Sequence, residues 1–191
     1  MAMGTEVITR LTYDEFRQLP DDGKRYELIH GEVHVSPSPN VKHQRTQSNL
    51  FMSLGPYINT HRLGWLLLAP LDVALALDTA VQPDLLFISA ARADIILDNY
   101  IAGAPDLVVE ILSPSTAAHD RATKLGLYAE AGVRWVWFLD SEARTVETLK
   151  LEGGKYYYDS VLSGNQILTS PLFPGWQQLS LHELFDFRTS F

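Results

Sequence analysis

Leu107-Val-Val-Glu-Ile-Leu112 is apolar on both strand faces except at one position, Glu110. Such a run belongs to a strand buried on both sides. A carboxylate left unpaired there costs about 3–5 kcal/mol, so it must be neutralised or hold a cation. A structural ion pair would satisfy that requirement too. Upstream, Gln82-Pro-Asp-Leu-Leu-Phe87 again sets a single acid, Asp84, into an apolar strand. Alone, Asp84 reads almost as well as a turn residue after Pro83. Together, two such strands point to two carboxylates meeting across a sheet. Like charges brought together raise each other's pKa unless a cation lies between them. Hard oxygen ligands select Mg2+ or Mn2+ over softer metals.

Downstream of Glu110, Ser113-Pro-Ser-Thr116 is a turn that supplies helix N-cap candidates, and the helix predicted from it runs from Ala118 to Ala131. Gly132 stands where a C-cap glycine belongs. Asp120, Lys124 and Tyr128 are spaced by four and share one helix face. Lys124 could orient or deprotonate an attacking water there and offset phosphate charge. By itself the spacing fits a solvent-exposed Asp–Lys pair equally well. Arg134 to Leu139 is the next strand, closed by Asp140. Upstream of Asp84, Trp65 to Ala76 predicts one buried strand with an edge or bulge at Pro70. Val41 to Thr60 predicts a helix, because Leu50, Leu54, Tyr57 and Ile58 recur at helical spacing, and Gly64 ends it. Between the acidic strands lies a long connection, Ser89 to Pro105, with a helical stretch at Ala90 to Leu97.

The ends are hairpin-rich. Thr12 caps a short helix over Tyr13 to Leu19, which Pro20-Asp-Asp-Gly23 ends. Arg25 to Ile29 and Glu32 to Ser36 flank His30-Gly31 as a tight hairpin. Thr145 to Leu151 and Lys155 to Leu162 flank Gly153-Gly154, and Leu181 to Phe185 is a last amphipathic turn. The α-β-β-β-α-β order implies an α/β (α+β) fold, a mixed sheet flanked by helices. The expectation is one domain over 1–191, with its core near 40–140 and hairpins at 25–36 and 145–191.

The chain has 191 residues, no cysteine and a formal net charge of −8. The missing cysteines exclude disulfides, thiolate catalysis and cysteine-ligated zinc, and make a reducing cytoplasm the default. Residues 1–10 lack the apolar core of a secretory signal, and the apolar run from Trp65 to Leu71 is too short to cross a bilayer. The acidic balance excludes a non-specific, high-affinity DNA coat, which needs a basic stripe.

Pro83-Asp84, Glu110 in its hydrophobic strand and a lysine nearby resemble the PD-(D/E)XK nuclease superfamily. More closely, Tyr26-Glu-Leu-Ile-His-Gly-Glu32, Gln82-Pro-Asp-Leu85, Asp106-Leu-Val-Val-Glu-Ile-Leu-Ser-Pro-Ser115, Lys124 with Tyr128, and Gly132-Val-Arg-Trp-Val-Trp-Phe-Leu-Asp140 are similar to a large bacterial family of restriction-endonuclease-like proteins. The resemblance implies a restriction-endonuclease-like core and a Mg2+- or Mn2+-dependent nuclease. The metal would be held by Asp84, Glu110 and the backbone carbonyl of Ile111. The superfamily lysine usually stands two residues after the strand acid. That position is Leu112 here, so the resemblance implies that Lys124 serves in its place. Glu27 matches a family position and is a candidate third acid, though a solvent-facing hairpin residue is an equal reading. The resemblance also implies DNA as substrate and a homodimer, for which Trp135 to Leu139 and the C-terminal hairpins could supply a surface.

His43, at the start of the long helix, could contact phosphate or substrate; a helix-surface histidine is the plainer reading. His30 and His34 lack metal-ligand spacing, and His119-Asp120 has no supporting histidine set. Tyr156 to Tyr158 reads as strand packing. Two other functions fit the residues. One is a DNA- or protein-binding module that keeps the fold without catalysis, which absence of Mn2+ binding would single out. The other is a phosphoesterase acting on small nucleotides, which an acidic protein repels less than long polyanions.

Overall fold

In the computed structural model, the described residues are 10–36, 38–112, 117–177 and 179–186, with the backbone alone at 117–120. The turn expected at Ser113 to Thr116 and the His119-Asp120 side chains lie outside them.

Helix α1 (Tyr13–Phe16) opens with a capping box: Glu15 N–H donates to Thr12 Oγ1 and Thr12 N–H to the Glu15 carboxylate. It is a single turn, shorter than the predicted span. Strands β1 (Arg25–Ile29) and β2 (Glu32–Ser36) form the expected hairpin. Its two turn residues, His30 (φ 49) and Gly31 (φ 81), both take the left-handed conformation that a two-residue turn of this hand requires. Helix α2 (Val41–Thr60) matches its prediction, and Asn40 caps it by accepting from His43 N–H at 2.9 Å.

The predicted strand from Trp65 to Ala76 is two strands in two different sheets, β3 (Gly64–Leu68) and β4 (Val73–Ala76). Pro70 has no N–H to give a ladder, and the chain leaves one sheet there for the other. Gly64 is forced by its neighbour, since a Cβ at that position would come within 2.0 Å of the Ile88 carbonyl oxygen. Then follow β5 (Thr79–Val81), too short to register in the sequence pattern, and β6 (Leu85–Ser89). A 3-10 turn at Ala90–Ile95 stands where a helical stretch was expected, and β7 (Ile101–Ala102) and β8 (Leu107–Leu112) come next. Helix α3 (Ala117–Ala131), β9 (Trp135–Asp140), β10 (Thr145–Glu152), β11 (Lys155–Leu162) and α4 (Leu181–Leu184) complete the order. Between β11 and α4 the described residues form no hairpin; an isolated bridge, Ile167 to Ser180, joins the two ends of that segment.

Two mixed sheets result, ordered β2-β1-β5-β4-β7 and β11-β10-β9-β8-β6-β3. The expected mixed sheet flanked by helices is present, with a second sheet beside it. The C-terminal hairpin is no appendage: β10 pairs with β9 and extends the main sheet. Odd-numbered residues of the central strands, such as Phe87, Val109 and Trp137, pack with Leu50, Leu54 and Ile58 of α2 and with Phe173 and Trp176 of the C-terminal segment. Even-numbered ones, such as Leu86, Val108 and Phe138, pack with Leu127 and Tyr128 of α3 and with Val73 and Val81 of the other sheet. Glu110 is even-numbered, so strand alternation turns it toward α3 and the second sheet, while Asp84 stands just before β6.

The strand Trp135 to Leu139 cannot supply a dimer surface. It pairs on both sides, with β8 and β10, and its side chains are buried. No helix among the described residues is long and apolar enough to cross a membrane.

Candidate active site

Three backbone segments deliver the acids. Asp84 lies in the three-residue passage, Gln82 to Asp84, by which the chain crosses from β5 in one sheet to β6 in the other. Strands β6 and β8 are antiparallel, with Leu85 opposite Val109 and Leu86 opposite Val108. Continuing that register by one step sets Asp84 opposite Glu110. Glu27 comes from β1, whose neighbour Leu28 pairs with Ala80 of β5.

All three acids are nearly inaccessible: Glu27 is 6%, Asp84 6% and Glu110 7% exposed. Glu27 is therefore no solvent-facing hairpin residue. Lys124 Nζ lies between two of them, 3.1 Å from Glu27 Oε1 and 3.1 Å from Glu110 Oε1. The reading of Lys124 as half of an exposed surface pair is thus overturned; α3 packs this face onto the strand ends. Tyr128, one turn further along α3 and fully buried, donates its hydroxyl to Glu110 Oε1. Glu27 Oε1 also accepts from Gln82 N–H at 2.9 Å, which ties the acid of one sheet to the crossing passage.

Asp84 is gripped at two points by α2. Its Oδ2 accepts from Ile111 N–H at 2.8 Å and from His43 Nε2 at 3.0 Å. Its main-chain carbonyl accepts from Gln47 Nε2 at 2.7 Å and from Ala69 N–H at 3.1 Å. His43 is thus a buried site residue rather than a helix-surface one. A carboxylate only accepts, so the ring proton of that contact sits on Nε2. Sequence reasoning missed His43 and Gln47 as partners of Asp84. The signal was available, because they stand one turn apart and continue the stripe of Leu50, Leu54 and Ile58 to the helix N-terminus.

Glu27 and Glu110 share one ammonium in this buried cluster, with the Asp84 carboxylate acting on Glu110 as well, and the ionisation follows from it. Burial, with Asp84 and Glu27 adding to it against the pull of Lys124, pushes the Glu110 carboxyl up to about 7. Burial works against the Lys124 charge, yet Glu110 and Glu27 outweigh it and hold the ammonium well above its ordinary range. Burial, then the Glu110 carboxylate, raises the Tyr128 hydroxyl far above its usual value.

Among the described residues no three His, Asp or Glu side chains converge as a ready metal cluster. The donor set still suits a hard cation. Asp84 Oδ1 and Glu110 Oε2 accept from no described residue. The Ile111 N–H points to Asp84, and in a strand the carbonyl of the same residue points the same way. The surplus of buried negative charge is what a divalent cation would offset.

Adjacent antiparallel strand ends thus set two acids beside a helix-borne lysine. The family described as "Uma2: Putative restriction endonuclease" matches residues 13–182, and the chain belongs to that family. A crystal structure described as a "putative nuclease belonging to DUF820" from Anabaena variabilis ATCC 29413 is similar, with a TM-score of 0.76 and 24% identity. The match covers 92% of this chain and 97% of that one, and it shows a common fold. No curated protein matches the chain.

Proposed function

We propose that this protein is a metal-dependent endonuclease hydrolysing phosphodiester bonds of nucleic acid, with DNA as the substrate. The observation that supports it most is that Glu110, its register neighbour Asp84 and Glu27 are buried together at the end of the central strands, with Lys124 paired to Glu110 and Glu27. Asp84, Glu110 and the Ile111 carbonyl would hold Mg2+ or Mn2+, with Glu27 as further support. Bound there, the ion would polarise the scissile phosphate and lower the pKa of a water.

The chain's own residues have distinct tasks. Glu110 and Glu27 keep Lys124 protonated, so it serves as a donor and a positive charge toward the phosphate or the water, not as the base. The apolar strands and α3 keep bulk water from the acids, which strengthens each charge interaction. The absence of cysteine supports a cytoplasmic setting. A homodimer that cuts two strands belongs to the same reading, on a surface other than β9; light scattering tests it.

Cleavage of supercoiled, linear and single-stranded DNA, and of RNA, in Mg2+, Mn2+ and EDTA tests the proposal. The expected result is metal-dependent cutting that Asp84→Ala and Glu110→Ala abolish. Cutting untouched by both substitutions refutes it. The net charge of −8 favours small over polymeric anions as a second reading, and a panel of nucleotide diesters in the same assay separates the two.

A further inference from the structure

Both strand acids are held in the same way. On Asp84, one oxygen takes two donors, Ile111 N–H and His43 Nε2, and the other takes none from the described residues. On Glu110, one oxygen takes two donors, Lys124 Nζ and the Tyr128 hydroxyl, and the other takes none from the described residues. A terminal carboxylate torsion is broad and close to two-fold. Two donors on one oxygen fix the plane of the group and decide which oxygen is left open.

We infer that His43 of α2 and Tyr128 of α3 are a matched pair of positioning residues that hold Asp84 Oδ1 and Glu110 Oε2 open toward the cation. The inference rests on the cation-binding reading above. Neither residue reaches substrate: Tyr128 is fully buried and His43 is 9% exposed. Each acts through its acid. Stability alone does not account for His43, because its Nδ1 is buried with no partner among the described residues. An unpaired buried polar atom costs stability that an apolar side chain in the same place would not. Gln47, one turn on, holds the Asp84 main chain from the same helix face, so the histidine is left with the carboxylate plane as its task.

Calorimetric titration of the full chain with Mn2+ tests this, alongside thermal unfolding in EDTA. Tyr128→Phe removes only the hydroxyl. His43→Leu removes the donor, and His43→Gln restores an amide N–H near the Nε2 position. Residues that orient metal ligands typically cost about tenfold or more in metal affinity when removed. The expected result is that fold-loss for Tyr128→Phe and for His43→Leu, with His43→Gln close to the natural protein. Folded His43→Leu and Tyr128→Phe proteins that bind Mn2+ as the natural protein does would overturn the pairing while leaving the nuclease reading intact. A natural protein that binds no Mn2+ at millimolar concentration would remove both.

Discussion

Replacing Glu110 by Gln should make the metal-free protein more stable at pH 8 and leave its stability nearly unchanged at pH 4.5. The unfolded chain releases the Glu110 proton near 4.5, whereas the folded chain holds it to about 7. Below pH 4.5 both states carry the proton, and an isosteric amide is close to equivalent. Between the two values folding takes up a proton, so the stability of the natural protein falls as pH rises. Above about 7 the whole difference stands. At about 1.4 kcal/mol per pH unit it comes to roughly 3 kcal/mol. For a chain of this size that is a melting-temperature gap of roughly 6–12 °C, at about 2–4 °C per kcal/mol. Urea unfolding of both proteins in EDTA, from pH 4.5 to 8.5, reads the gap directly. Groups remote from the cluster cancel in the difference. A gap that stays constant across the range, or that opens toward low pH, would refute the account of Glu110 as a buried acid lacking sufficient counter-charge.

Lys124→Met leaves Glu27 and Glu110 without their shared ammonium. It should cost about 3–5 kcal/mol at pH 8, less at pH 5, and abolish cleavage, read by urea melts and the DNA assay. Asp106→Ala, at the far end of β8, removes the fully buried acceptor of Ser89 N–H, Arg92 and Arg134. The expected loss is about 2 kcal/mol, with metal binding unchanged. Leu54→Ala, in the core beneath α2, should cost about 2–5 kcal/mol in chemical denaturation. Gly64→Ala drives a methyl group into the Ile88 backbone and should yield a visibly destabilised protein in the same assay.

How much of this was readable beforehand depended on where each constraint acts. The hairpin at His30-Gly31 and helix α2 were legible because turn chemistry and helical spacing are local. Asp84 and Glu110 were legible for the opposite reason: a charge inside an apolar run violates the local pattern and asks for an explanation. The break at Pro70 was misjudged because a proline marks an interruption without saying that the chain changes sheets there. Strand β5, three residues long, carries too little pattern to be seen. Lys124 and His43 were harder still. A lysine four residues from an aspartate looks like a surface pair, and a histidine in a first turn looks solvated. Only the packing of α3 and α2 against the strand ends gives each its acid.

The crossing at Gln82 to Asp84 joins residues far apart along the chain. Glu27 belongs to β1 and Lys124 to α3, and the passage between the sheets lies between them in the chain. A growing polypeptide therefore has no assembled centre until α3 has emerged and docked. Any event that lifts the smaller sheet away takes Glu27 with it and leaves the ammonium with Glu110 alone. On the proposed reading, hydrolytic competence is thus tied to completion of the tertiary structure: a partly folded molecule carries the acids but not their arrangement.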